Sequence, residues 1–217
     1  MEQFVAEQTV KLLAEAPAAG TVSLQALAEQ DEFSAAYPDA RTLLGEVAYP
    51  LTLQYVAVGR AAGELSRRGR DVEVHRGSRR ADLAVRRLAT GLLRKNQAAI
   101  MLRVEEKSYY NMERGAKPAT ARLLAELQAV DDFITTTVGQ LEVTEVDGVG
   151  VVHMLDDQER FEKAYPQART VRDGVAYPVR VHRVAAARRA HQLEAAGQPA
   201  RIVHPHPIQH GGGVWVD

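Results

Sequence analysis

Apolar residues recur three and four positions apart over much of the chain and alternate over a few short stretches, which predicts an α+β fold, mostly α. Near the middle, two short helical patterns stand side by side. Over 96–102, Ala98, Ala99 and Leu102 share one stripe; Arg103-Val104 then turns the chain. A second helix is predicted over 105–114, with Tyr109 and Met112 on its inner face. Gly115 fits the position just past a helix end, and Pro118 forbids continuation. Helices this short are not stable alone. Segment 81–93 offers a packing partner through Leu83, Leu88, Leu92 and Leu93.

The second pattern is a repeat. Residues 33–65 align without a gap on 161–193 at a constant offset of 128, with sixteen of 33 positions identical. The shared residues include Ala-Tyr-Pro-x-Ala-Arg-Thr (36–42 and 164–170) and Val-Ala-Tyr-Pro (47–50 and 175–178). Chance does not produce that. Weaker similarity upstream (21–32 against 149–160) and downstream (72–75 near 201–204) predicts strand, short helix, Tyr-Pro turn, longer helix and strand in each copy. The longer helices are expected over about 50–66 and 178–196, with Pro at the first helical position. Leading helices are expected over 2–16 and 119–138. The division that follows is a first copy (1–77), a helix-turn-helix segment (78–118), a second copy with its leading helix (119–204) and a tail (205–217).

The 94–118 segment resembles the lambda-repressor/Cro-like helix-turn-helix family. Its matching residues are Ala99, Leu102-x-Val104, Ser108 and the Glu113-Arg114-Gly115…Pro118 ending. It departs from that pattern at Arg103, where the family has Gly in the turn, and at Arg94-Lys95, where Thr-Gln usually opens the first helix. The repeated part, Phe-x-x-x-Tyr-Pro followed by a Val/Ala-rich helix, resembles the C-terminal dimerisation domain of small helix-turn-helix autorepressors, including anti-CRISPR-associated (Aca-type) regulators. In those a helix-turn-helix precedes one such domain, an order that 80–118 and 119–204 reproduce. Residues 1–75 are then an extra copy. If the ancestral domain paired with itself, two copies in one chain form a pseudo-dimer around one head. The competing arrangement is a homodimer presenting two heads to a palindrome.

The resemblance implies a docking register. Glu106, Lys107, Ser108 and Asn111 point toward base edges, with Tyr110 alongside; Lys suits guanine, Asn adenine, and Glu the cytosine amino group. For Glu105 and Glu106 the alternative role is to stabilise the positive end of the helix. Arg94, Lys95, Asn96, Arg114 and Lys117 are expected on phosphates, fixing orientation without reading sequence. Arg79 and Arg80 read either as an arm reaching the DNA or as a plain linker.

Charge agrees. Residues 76–118 hold eleven Lys/Arg and four Asp/Glu, a net of +7, whereas the 217-residue chain nets −1. Zero Cys excludes disulfides and thiolate metal sites. No run of about 18 apolar residues predicts a membrane span, and the acidic start, with Glu2 and Glu7, does not read as a signal peptide, so a cytoplasmic protein is expected.

Catalytic chemistry finds no constellation. His182 and His191 lack a nucleophile or paired carboxylate at useful spacing, and Gly211-Gly212-Gly213 follows no strand–helix unit. His204, His206 and His210 lack the further ligands of a zinc site. Trp215, the sole tryptophan, reads as packing on the scaffold or a partner. Tyr37 and Tyr165 are assigned to the core edge, Arg41 and Arg169 to capping or pairing, and Arg188 and Arg189 to solvent. The expected function is a sequence-specific, double-stranded-DNA-binding transcriptional repressor of phage or mobile-element type, possessing no cofactor and no enzyme activity. The alternative is an antitoxin or protein-interaction module whose helix-turn-helix only autoregulates its operon.

Overall fold

The structure, a computed structural model, describes residues 1–42, 45 and 47–204. The chain begins with α1 (Glu2–Glu15), β1 (Val22–Ala26), α2 (Gln30–Ala36), α3 (Thr52–Arg67), β2 (Val72–Arg76) and β3 (Arg79–Arg80). Three short helices follow: α4 (Asp82–Ala89), α5 (Lys95–Met101) and α6 (Glu106–Glu113). The remainder is α7 (Ala121–Gln140), β4 (Val143–Val146), β5 (Val149–His153), α8 (Gln158–Ala164), α9 (Arg180–Ala195) and β6 (Ala200–Val203). About half of the described residues are helical, so the fold is α+β.

Each half carries one small mixed sheet. In β1-β2-β3 the first pair is parallel and the second antiparallel; in β4-β5-β6 the order of the two pairings is reversed. The hairpin strand β4 is absent from the strands expected from the sequence. Its turn, Asp147-Gly148, has both residues at positive φ (52° and 77°), the twist that suits a tight hairpin. The expected longer helices begin at Thr52 and Arg180, two residues beyond their prolines.

Contacts recur at the repeat's spacing. The Gln30 amide donates to the Tyr49 carbonyl and accepts from Leu51 N–H; Gln158 does the same with Tyr177 and Val179. Isolated bridges join Arg41 to Ala48 and Arg169 to Ala176. Arg41 and Arg169 donate to the Pro38 and Pro166 carbonyls, which closes each Tyr-Pro turn. Phe4 sits edge-on to Phe33, Tyr37 and Tyr49, and Phe133 edge-on to Phe161, Tyr165 and Tyr177.

Two cores form around these frames. One joins β1, β2 and α3 through residues such as Val22, Val58 and Val74. The other runs from Leu83 and Leu92 through α5, α6 and α7 to Phe161 and Ala186. Helix α4 serves both: Leu83 enters the second and Val85 the first. Its close approach to α3 needs Gly59, because a Cβ there would lie 2.2 Å from the Val85 carbonyl oxygen. Arg86, buried in the same helix, donates to Ser66 Oγ (2.9 Å) and Gln128 Oε1 (2.8 Å), so it spans α3 and α7.

Two sequence assignments are corrected here. Leu93 does not join the core; it is 66% exposed because the chain turns outward after Leu92, leaving its carbonyl to accept from Arg87. Arg188 is not in solvent. It donates to Asp131 Oδ1 (2.9 Å) and to the Ala89 carbonyl (3.1 Å), and Asp131 also accepts from Arg67 (2.7 Å). The two guanidiniums outweigh the burial of Asp131 and hold its carboxyl below the usual carboxylate range.

Helices α4, α5 and α6 each end in the paired 6→1 and 5→2 backbone bonds of a Schellman motif. Gly91 and Gly115 supply the left-handed residue for α4 and α6, but α5 uses Arg103, at φ 49°. A side chain in that conformation costs about 1–2 kcal/mol, partly offset by glycine's greater unfolded-state entropy. Arg103→Gly should therefore raise the unfolding free energy by about 0.5–1 kcal/mol in a urea titration, with an unchanged m-value.

Candidate nucleic-acid interface

Helix α6 is anchored on one side and open on the other. Tyr109, Met112 and Glu113 are buried, whereas Glu106, Lys107, Tyr110 and Arg114 are exposed and Ser108 and Asn111 are half-buried. This division follows from the apolar spacing, which turns Tyr109 and Met112 toward Leu83, Leu92 and Ala98. Burial, reinforced by the neighbouring Glu113 carboxylate, pushes the Tyr109 phenol well above its ordinary pKa.

A buried ion pair fixes the anchor. Glu113 accepts from Arg87 Nε, and Arg87 Nη1 also donates to the carbonyls of Leu92 and Leu93, the latter at 2.8 Å. The second Glu113 oxygen lies 3.1 Å from Lys95 Nζ, and that ammonium also stands 5.0 Å from the centre of the Tyr110 ring. One acidic residue thus ties α4, the start of α5 and the end of α6 together.

Of the residues assigned to base edges, Glu106, Lys107 and Tyr110 are exposed on one side of α6 with half-buried Asn111 beside them, whereas half-buried Ser108 lies toward the Met112 side. Glu106 occupies its first turn, next to the N-cap Glu105, whose side chain makes no capping bond. Asn111 Oδ1 accepts from Arg114 Nη2 at 2.8 Å, so this amide is oriented by the residue one turn later. The Asn111 carbonyl accepts from the backbone N–H groups of Ala116 and Lys117, which places both just past the helix end.

Of the residues assigned to phosphates, Arg94 is the exposed N-cap of α5, Asn96 is exposed with its Oδ1 accepting from Gln97 N–H, and Arg114 and Lys117 are exposed. Lys95 differs from these because its ammonium is engaged within the fold. The charge surplus of 76–118 shrinks at the surface for the same reason. Arg86 and Arg87 are buried, and Arg80 pairs with Glu73 and Asp82.

The linker reading of Arg79 and Arg80 is also corrected. They form β3, joined to β2 by a two-residue turn at Gly77-Ser78. The hairpin leans on the end of α6, where a Cβ on Gly115 would meet the Arg80 carbonyl at 2.9 Å and Arg79 Cβ at 3.1 Å. Only glycine satisfies both this approach and the φ of 73°. Exposed Arg79 thereby lines one cleft with Arg114, a juxtaposition set by tertiary packing that spacing in the sequence does not reveal. A Gly-containing two-residue turn after an alternating stretch is the local signal that identifies such a hairpin.

Elsewhere, His204 Nδ1 lies 3.2 Å from Asp156 Oδ2, and no group of three or more candidate metal ligands occurs among the described residues. His206, His210, the Gly211–Gly213 run and Trp215 lie outside the described residues. No helix among the described residues is long and apolar enough to cross a membrane. No family profile, curated protein or solved structure matches this chain.

Proposed function

We propose that the protein is a sequence-specific double-stranded-DNA-binding repressor that lays α6 in the major groove and occludes a promoter. The observation that carries this reading is the outward strip Glu106, Lys107, Tyr110, Asn111 and Arg114 on a helix locked from behind by Tyr109, Met112 and the Glu113–Arg87 pair. Lys107 and Asn111 read base edges, and Arg94, Arg114 and Lys117, joined by Arg79, hold phosphates on either side. No cofactor enters this mechanism.

The two copies act as a pseudo-dimer that carries one head. In support, Arg67 of α3 in the first copy pairs with Asp131 and Asp132 of α7 in the second, and α1 meets α9. One head per chain suits an asymmetric site, in contrast to a palindrome read by two.

Selection of bound fragments from a genomic library, followed by gel-shift titration, tests the reading. On the selected duplex Lys107→Ala should weaken binding by about 1–3 kcal/mol and relax preference at one base pair. Arg114→Ala should weaken all duplexes alike and flatten the dependence on salt. Equal affinity of both variants and wild type for every duplex would rule out α6 as the reading helix.

A further inference from the structure

The two faces of the β2–β3 hairpin differ in charge balance. Its ladder sets His75 opposite Arg80 and Arg76 opposite Arg79, and residues directly opposite in an antiparallel pair share a face. On the first face acids answer the cations: Arg80 pairs with Glu73 and Asp82, and Glu73 also reaches His75. On the other, Arg76 and Arg79 stand side by side, and among the described residues no carboxylate pairs with either. Like charges directly opposite destabilise a strand pair, so this face lacks a counter-charge.

A third arginine lies beside them. The hairpin packs on the end of α6, and Arg79 shares an open cleft of about 300 Å³ with Arg114. Arg114 donates to the neutral Asn111 amide, and among the described residues it too pairs with no carboxylate. The acid at that helix end, Glu113, is buried and taken by Arg87 and Lys95. At the hairpin tip Gly77 and Ser78 are small and exposed, so they leave this side open to a bulky ligand.

We infer that the hairpin and the end of α6 form a phosphate clamp, in which Arg76, Arg79 and Arg114 close on one phosphodiester at the flank of the DNA site. This rests on the reading of α6 as the groove helix and extends it to a contact outside that helix. Guanidinium suits the ligand, since its planar donors match phosphate oxygens in pairs. The phosphate in turn supplies the negative charge that the Arg76–Arg79 face lacks. The second copy has no such clamp: its β4–β5 hairpin turns through Asp147-Gly148 and carries Glu145 beside that turn. A chain therefore grips the backbone in this way on one flank only, which gives the single head a direction along an asymmetric site.

The test uses the full chain and its selected duplex, with each phosphate replaced in turn by an uncharged methylphosphonate. Fluorescence anisotropy should reveal one flanking phosphate whose neutralisation weakens wild type about tenfold but leaves the double variant Arg76→Ala with Arg79→Ala unchanged. On unmodified duplex that variant should show a slope of log affinity against log salt shallower by about one. Alanine keeps the Arg79 Cβ that meets Gly115 and removes the like-charge pair. In a circular-dichroism melt without DNA the variant should therefore be at least as stable as wild type. Absence of such a phosphate overturns the clamp; the reading of α6 survives that failure if Lys107→Ala still relaxes preference at one base pair. The same phosphate signature on every duplex alike, with Lys107→Ala silent, keeps the clamp and overturns the reading. Stabilisation of wild type but not of the double variant by millimolar inorganic phosphate, with no duplex phosphate involved, overturns the DNA assignment and makes free phosphate the ligand.

Discussion

Replacing Glu113 by Gln should lower the unfolding free energy by about 3–5 kcal/mol and weaken any duplex that wild type retains. The carboxylate is 1% exposed and its partner Arg87 5% exposed, so the guanidinium would keep its burial and lose its counter-charge. The Leu92 and Leu93 carbonyls would still accept from Arg87, but neither carries a compensating charge. Lys95 would be released at the same time, freeing the Tyr110 ring from its ammonium. A double variant, Arg87→Met with Glu113→Leu, should recover most of the stability, because removing both charges avoids stranding one. Denaturant titration of the three proteins measures both effects. If Glu113→Gln matched wild type within experimental error, the pair would not be the anchor of α6.

The second large effect is acid sensitivity centred on His182, which is 2% exposed. Its Nδ1 accepts from Leu155 N–H at 3.3 Å, so the proton of the neutral ring sits on Nε2, 3.4 Å from the Tyr165 hydroxyl. Burial pushes its pKa down from 6.5 to about 4. Protonation would charge a desolvated ring and turn its acceptor into a second donor facing an N–H. The native state thus binds fewer protons than the unfolded chain between these values. Its stabilising contribution is complete above about pH 6.5 and declines as pH falls through the window to about 4, by on the order of 3 kcal/mol. The first copy indicates the control. There Gln54 occupies the equivalent position and its Oε1 accepts from Leu27 N–H at 3.2 Å. His182→Gln should preserve stability near pH 7 and remove the loss assigned to this ring. Unfolding titrations at pH 7, 5.5 and 4.5 distinguish the outcomes; an undiminished acid loss in the variant would show that other groups carry it.

The sequence made local features legible where spacing and backbone chemistry act over a few residues. The burial of Tyr109 and Met112 follows from their separation by three, and Gly115 at φ 73° does what the end of α6 requires. The Tyr-Pro turns likewise close on their own residues. Features built across long separations were hidden. Arg87 and Glu113 lie 26 residues apart, and Arg188 reaches Asp131 over 57, so nothing local marks either arginine as internal. Periodicity places Arg188 on an Ala-rich helix without saying that a carboxylate waits opposite. The missed β4 hairpin is different, since Asp147-Gly148 between alternating valines is a strong turn signal within the sequence itself.

The double allegiance of α4 carries a consequence for how the molecule transmits force. A short rod gripped on opposite flanks by two hydrophobic interiors cannot tilt toward one without straining the other. Anything that shifts one half of the chain is therefore felt mechanically by the other, with α4 as the shaft between them.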